Sequence, residues 1–362
     1  MLAYILKRLL LIIPTLFGIL LINFVIVQAA PGGPIDLIVR QVKGEAIDAT
    51  ARFSGTSGGE SAQRTGTDPQ SRSARGLDPA LLADLERQFG FDRPAPERFV
   101  KMLGDYLRFD FGNSFFRGRP VVDLIIEKMP VSISLGVWTT LITYLVSIPL
   151  GIRKAVKDGT PFDIWSSTLV SIGYAIPSFL FAVLLVVVFA GGSYLQWFPL
   201  RGLTSDDFYR MTWWQQALDY AWHLVLPVTA MVVGSFASLT LLTKNGFVEE
   251  LGKQYVLTAR AKGLPERRVL YGHVFRNAML IVIAGFPSAL LSMLFTGALL
   301  IEIIFSLDGL GLLSYEAAIN RDYPIIFGTL FLFTLVGLLL RLISDLTYVM
   351  VDPRIDFAKV RV

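Results

Sequence analysis

The chain has 362 residues, of which 53% are hydrophobic and 17% charged, and its formal net charge is +4. A soluble domain carries about 25% charged residues, so this composition excludes an ordinary soluble protein; the basic residues gather at the ends of apolar runs and in one loop, and need no nucleic-acid partner. With no cysteine and only His223 and His273, the chain has no disulfide, no thiolate metal site, no cysteine nucleophile and no multi-histidine metal centre.

Six runs are apolar over about 20 residues, the length of helix that crosses a bilayer. The expected fold is all-α, a polytopic membrane protein with six transmembrane helices and a large outer segment between the first two. Residues 1–30 hold the N-terminus and the first span, Leu9–Ala30, preceded by Lys7-Arg8. That run is longer than the ~7–15 residues of a signal-peptide core. Residues 31–130 form the outer, periplasmic segment. Its Arg40–Gly76 part is rich in Gly, Ser, Thr and Arg and reads as a mobile insert (40–76). Asp78 as N-cap and Pro79 then start a helix with Leu81, Leu82, Leu85 and Phe89 at helical spacing, stopped by Gly90. A second amphipathic helix follows Pro96, carrying Phe99, Met102, Leu103, Tyr106 and Leu107, and leads into the turn-rich Phe109-Asp110-Phe111-Gly112-Asn113-Ser114. Two readings stay open for these helices, a structural cap on the bundle or a surface for the membrane face or a soluble partner.

Residues 131–350 carry the other five spans, expected at Val131–Ile152, Ile164–Ala190, Trp222–Thr243, Leu280–Ile304 and Ile325–Met350, before a tail of residues 351–362. Pro14, Pro149, Pro177, Pro227 and Pro287 sit in or at the end of five spans, where each removes a backbone donor and can kink its helix. Trp197, Trp213, Trp214 and Trp222 surround one outer loop, as an interfacial aromatic belt does. The N-terminus, the Arg153–Phe162 turn, the Lys244–Arg276 loop and the tail together hold fifteen Lys and Arg, against three (Arg201, Arg210 and Arg321) in the short outer loops. That asymmetry puts both termini in the cytoplasm.

Catalytic and nucleotide signatures are missing: there is no G-x-x-x-x-G-K-[ST], no G-x-S-x-G and no H-E-x-x-H. Within the spans Glu302 and Asp345 stand out, and Arg341, four residues before Asp345, shares its helix face and is expected to pair with it, lining a pathway or lying near the cytoplasmic interface. An ion-coupled secondary transporter, the alternative function, is expected to show inverted repeats or several midplane carboxylates. With so few, the energy is expected to come from a partner. Docking is expected in the Lys244–Arg276 loop. Gln254–Lys262 reads as a short helix, Gly263 as its stop, and Leu264-Pro265-Glu266 as a restart with Pro265 at the first helical position. The small Ala259 and Ala261 suit close seating in a partner's groove, with Tyr255 and the basic residues orienting the helix.

The run Tyr255-Val-Leu-Thr-Ala-Arg-Ala-Lys-Gly263, followed by His273-Val-Phe-Arg-Asn-Ala278, resembles the EAA loop of binding-protein-dependent ABC importer permeases in the version of their oligopeptide/dipeptide branch, Y-V-x-T-A-R-A-K-G then H-x-x-R-N-A. In the general form E-A-A-x-x-x-G, the Glu and first Ala are replaced by Leu257 and Thr258, while Ala259 and Gly263 are kept. The branch is also echoed by Lys7-Arg8-Leu9-Leu10, Ala30-Pro31-Gly32-Gly33-Pro34, Phe89-Gly90-Phe91-Asp92, Asp110–Ser114, Ser344-Asp345-Leu346 and Asp352-Pro353-Arg354. The insert, with Gly191–Tyr194 and Phe198–Gly202, is most similar to the peptide and microcin C importers of that branch. The resemblance implies a multi-pass permease of the bacterial inner membrane that imports peptides, microcin C-like conjugates among them. It implies a second related permease, a cytoplasmic ATPase that carries the ATP and magnesium, and a periplasmic peptide-binding protein, with no cofactor on this chain and no catalysis by it. The coupling loop spans residues 244–280, and Tyr255, Leu257, Thr258, Ala259, Arg260, Ala261, Lys262 and Gly263 form its ATPase-coupling helix.

Overall fold

The computed structural model of the chain describes residues 2–29, 94–191, 194–295 and 299–351. The expectations for the insert 40–76, for the helix after Asp78, for Phe89–Asp92 and for the tail lie outside the described residues. Every regular element among the described residues is a helix, apart from one isolated bridge between Asn113 and Pro120.

Four helices are long and apolar enough to cross a membrane: α1 (Leu2–Ala29), then, after the short α2 (Ala95–Leu107), α3 (Val121–Val156), and later α6 (Trp213–Leu251) and α13 (Tyr323–Val351). The α3 and α6 helices begin well ahead of the apolar runs at Val131 and Trp222, at Val121 and Trp213. The start of α6 is fixed by Thr212, whose backbone N–H donates to Gln215 Oε1 at 3.0 Å. Pro14, Pro149, Pro227 and Pro287 all lie inside continuous helices.

The expected third span is broken. It consists of α4 (Pro161–Ala175) and α5 (Ser178–Phe189), bent by 91°. Pro177 denies the α-helical conformation to the residue before it, and Ile176 is extended at φ −85°, ψ 118°. The fifth span also differs. Beyond α7 (Gln254–Ala261) the chain runs through α8 (Glu266–Arg268), a π-helical stretch Val269–Val274 and α9 (Phe275–Ala278), then bends by 53° into α10 (Leu280–Phe295). Beyond residues 296–298, which lie outside the described residues, come α11 (Leu299–Ile304) and α12 (Leu310–Asn320). Among the described residues, the candidate crossings are thus four continuous helices and two bent pairs.

The chain divides into two compact units. One comprises residues 1–12, 125–313 and 333–362. Its apolar core joins Leu135 of α3, Ala182 of α5, Leu224 and Ala230 of α6, and Ile301 of α11. Close helix approach depends on small residues: a Cβ on Gly151 would lie 2.8 Å from Thr240 O and 2.7 Å from Thr243 Cβ. Two polar knots sit within this unit. Lys154 is fully buried, and its Nζ donates to Asp163 O (3.1 Å), Ser166 Oγ (2.9 Å) and Ser167 Oγ (2.6 Å) while pairing with Asp163 Oδ1 (3.1 Å). Lys244 pairs with the other oxygen of Asp163 (2.7 Å) and with Asp158 (2.8 Å), so α3, α4 and α6 are tied by charges that desolvated ions require to be paired. The second knot is Glu302, also fully buried, which accepts from Ser132 Oγ at 3.0 Å and from the Leu312 N–H at 2.7 Å. Gly309 and Gly311 make room for it, since a Cβ on Gly309 would meet its carboxylate at 2.4–2.8 Å.

The other unit comprises residues 13–124 and 314–332. Here α2 lays Phe99 against Phe17 and Phe24 of α1, with ring centroids 5.5 and 5.3 Å apart, and Tyr106 packs edge-on against Phe111 and Phe331. Burial pushes the Tyr106 hydroxyl pKa well up. The Asp110–Ser114 stretch is a locked turn. Asp110 Oδ1 accepts from the N–H of Gly112, which sits at φ +75°, and Ser114 Oγ donates to Asp322 at 2.5 Å. Leu107, one of the apolar residues of α2, is exposed.

Candidate functional site

The segment that follows α6 is built on an apolar base. Val256 and Ala259 of α7 are buried against Ile152 and Ala155 of α3, Phe247 of α6, and Val269 and Val274 of the π-helical stretch. The i→i+5 pattern of that stretch brings Val269 and Val274, five residues apart, to one side, where both have no exposed surface. Gly263 ends the helix at φ +75°, and its N–H donates to Arg260 O (2.9 Å) while the Leu264 N–H reaches Ala259 O (3.3 Å). This pair of bonds is a Schellman cap, which needs a residue free to turn left-handed.

Polar contacts fix the start of the helix. Tyr255 Oη donates to Glu250 Oε2 at 2.6 Å and accepts from Asn277 Nδ2 at 3.3 Å, and Lys253 pairs with the same Glu250. Burial, then the Glu250 carboxylate, pushes the Tyr255 hydroxyl pKa up, so it stays a donor; the Glu250 bond likewise raises that of Lys253. Pro265 precedes the restart as its N-cap (ψ 143°) rather than occupying the first helical position, because its extended ψ places it outside the helix. Glu266, the first residue of α8, takes Arg260 in a two-bonded pair at 2.8 and 3.2 Å.

The expected coupling residues therefore divide by face. Leu257, Thr258, Arg260, Ala261, Lys262 and Gly263 are exposed, with Leu257 at 57%. Tyr255 and Ala259 turn inward and serve the chain's own core, so the small side chain of Ala259 permits close packing beneath the helix rather than beneath a partner. Val256, with no exposed surface, is the anchor that sequence reading passed over; its i, i+3 spacing to Ala259 was the available signal. The region 244–276 is also less of a loop than expected, since Lys244 lies within α6.

Asp345 departs from expectation. Its ion pair is with Arg8 of α1 at 3.0 Å, whereas Arg341 is exposed on its own helix. The partly solvated Arg8–Asp345 pair joins the start of α1 to the end of α13. Ser344 of α13 also donates to Ala284 O of α10, and a shared groove places Ile343 and Thr347 of α13 beside Tyr144 and Ile148 of α3 and Met279. The start of α1, the end of α13 and α7 therefore lie at one end of this unit.

The model of a family described as "binding-protein-dependent transport system inner membrane component" matches residues 147–357. The chain is 59% identical over 361 residues to the "peptidoglycan transport system permease protein YejB" of Agrobacterium fabrum, covering 99% of each chain. It is 57% identical over 359 residues to the "inner membrane ABC transporter permease protein YejB" of Escherichia coli O157:H7, covering 98% of this chain and 99% of that one. Over 364 residues it is 32% identical to the "oligopeptide transport system permease protein AppB" of Bacillus subtilis, covering 99% of this chain and all of the other. The likeness read from the loop thus runs the length of the chain.

Proposed function

The chain belongs to the family of binding-protein-dependent transport system inner membrane components, and from that premise we propose that it is the membrane-spanning permease of an ATP-driven ABC importer that moves peptides from periplasm to cytoplasm by alternating access. The observation that carries the mechanism is the two-faced α7, whose inner face is welded to the ends of α3 and α6 and whose outer face offers Leu257, Thr258, Ala261 and Lys262. A partner gripping the outer face moves the ends of the spans with it.

The gripping partner is a cytoplasmic ATPase, which holds the ATP and magnesium; this chain itself catalyses nothing. A second, related permease completes the pathway, and a periplasmic binding protein delivers the cargo. Both termini and α7 then lie on the cytoplasmic side of the bacterial inner membrane, in agreement with the excess of Lys and Arg in the inner loops. The relatives named for oligopeptide and peptidoglycan transport point to a short peptide as the shared cargo, and microcin C-like conjugates present the same backbone. Nucleotide state selects between inward- and outward-open bundles, and cargo biases the cycle only through different affinity for the two. The ion-coupled alternative gains no support: Glu302 is held by Ser132 and the Leu312 N–H, and Asp345 by Arg8.

The test is co-purification followed by transport. Tagged chain should bring down an ATPase and a second permease, and the reconstituted assembly should take up tri-alanine only with ATP. Leu257→Asp places a charge on the gripped face and should lower ATPase recovery about tenfold. Uptake that persists without ATP, or full ATPase recovery with Leu257→Asp, would reject the reading.

A further inference from the structure

Two cavities open side by side within the larger unit and share Tyr144 and Val282 as a common wall. One, of about 370 Å³, is bounded by aliphatic and aromatic side chains such as Ile148, Phe286, Leu340 and Ile343; its Thr347 hydroxyl is already committed to Ile343 O at 2.8 Å. The other, of about 280 Å³, lies between α3, α6 and α10 and gathers four hydroxyl groups, those of Thr143, Tyr144, Ser235 and Ser238. Across from them Gly285 keeps the α10 wall low, with nothing within 4 Å of where its Cβ would stand.

The hydroxyls are under-used. Thr240 and Thr329 return their hydroxyls to a carbonyl one turn back, the usual recourse of a helical threonine. Thr143 does not: it is 1% exposed, and its Oγ1 has no hydrogen-bond partner among the described residues. A buried hydroxyl left unmatched is costly, and rotation about χ1 can re-aim it. Ser235 donates only to Met231 O (2.9 Å) and keeps its acceptor capacity, while Ser238 is exposed on the same face of α6. Among the described residues, no charged side chain lines either cavity.

We propose that the hydroxyl-lined cavity is a subsite of the translocation path that holds the main chain of the peptide cargo, with Thr143 and Ser238 bonding its amides. The proposal rests on the peptide-importer reading. A peptide carries one donor and one acceptor per residue, and each that leaves water on entering the cavity must be met. Hydroxyls offer both functions. Since the lining is uncharged, binding here is indifferent to cargo side chains and to charged termini.

The absence of cysteine lets a single introduced thiol report on the site. The complete transporter is assembled with Ser238→Cys or, as control, with Ile343→Cys from the apolar cavity. Modification by a water-soluble methanethiosulfonate is timed with and without tri-alanine, and with acetylated, amidated tri-alanine. At about ten times the dissociation constant, both peptides should slow the reaction at Ser238→Cys about tenfold and leave Ile343→Cys unchanged. Thr143→Val should lower tri-alanine uptake about fivefold, with Thr143→Ser restoring it. The subsite is overturned if tri-alanine is taken up yet gives no protection at Ser238→Cys, if both positions are protected alike, or if only the free-ended peptide protects. A wild-type assembly that takes up no tri-alanine with ATP overturns the importer reading itself.

Discussion

Lys154 and Arg260 enter the sequence as the same kind of charge, both counted toward the cytoplasmic excess, and the fold treats them in opposite ways. Lys154 is sealed between α3 and α4 with every donor of its ammonium engaged. Arg260 lies open on α7, paired only with the exposed Glu266. The first charge holds helices together and the second decorates the exposed face proposed to meet the ATPase. The positive-inside rule detects where a charge sits along the membrane normal and says nothing about which of these it does.

The largest expected effect breaks that comparison at its buried end. Lys154→Ala leaves Asp163 with one lysine in place of two and should cost about 3–5 kcal/mol, read as a large fall in the thermal midpoint of the solubilised chain. A midpoint unchanged from wild type would make the buried knot an incidental contact. Gly263→Val comes next. It forces a β-branched residue to φ +75° without any clash, so it should cost about 1–2 kcal/mol locally, leaving membrane insertion intact while lowering ATP-driven uptake. Normal uptake by that variant would show that the cap does not set the position of α7. Smallest is Arg260→Ala, expected to change stability by about 0.2–1 kcal/mol and to act only on ATPase recovery. A loss of stability as large as that of Lys154→Ala would erase the distinction.

Apolar periodicity carried most of the bundle. The described part of the run Leu9–Ala30 and the runs Val131–Ile152, Trp222–Thr243 and Ile325–Met350 all lie on continuous helices, since long apolar stretches are read directly from composition. The helix Gln254–Ala261 and its glycine cap were equally legible, because capping chemistry is local. What remained hidden depends on neighbours distant in sequence. Five prolines look alike in the chain, yet only Pro177 separates two helices, where α5 turns to pack on α6. Glu302 read as a lone intramembrane carboxylate, but its partners Ser132 and Leu312 come from other elements. Arg341 was the nearer candidate for Asp345 by spacing, and Arg8 won by position in the fold. In the cavity, Ser235 and Ser238 shared a face at i, i+3, a pattern that had no meaning until Thr143 of α3 was set beside them.

The Arg8–Asp345 pair sets an order of events during biosynthesis. The two residues belong to the first and last crossings, so nearly the whole polypeptide must leave the ribosome before the contact forms. Until then the start of α1 has no bond to Asp345, and the loop to be closed spans residues 8 to 345. Truncation before α13 forfeits the clasp, so crosslinking across positions 8 and 345 should appear only in chains whose synthesis has passed α13.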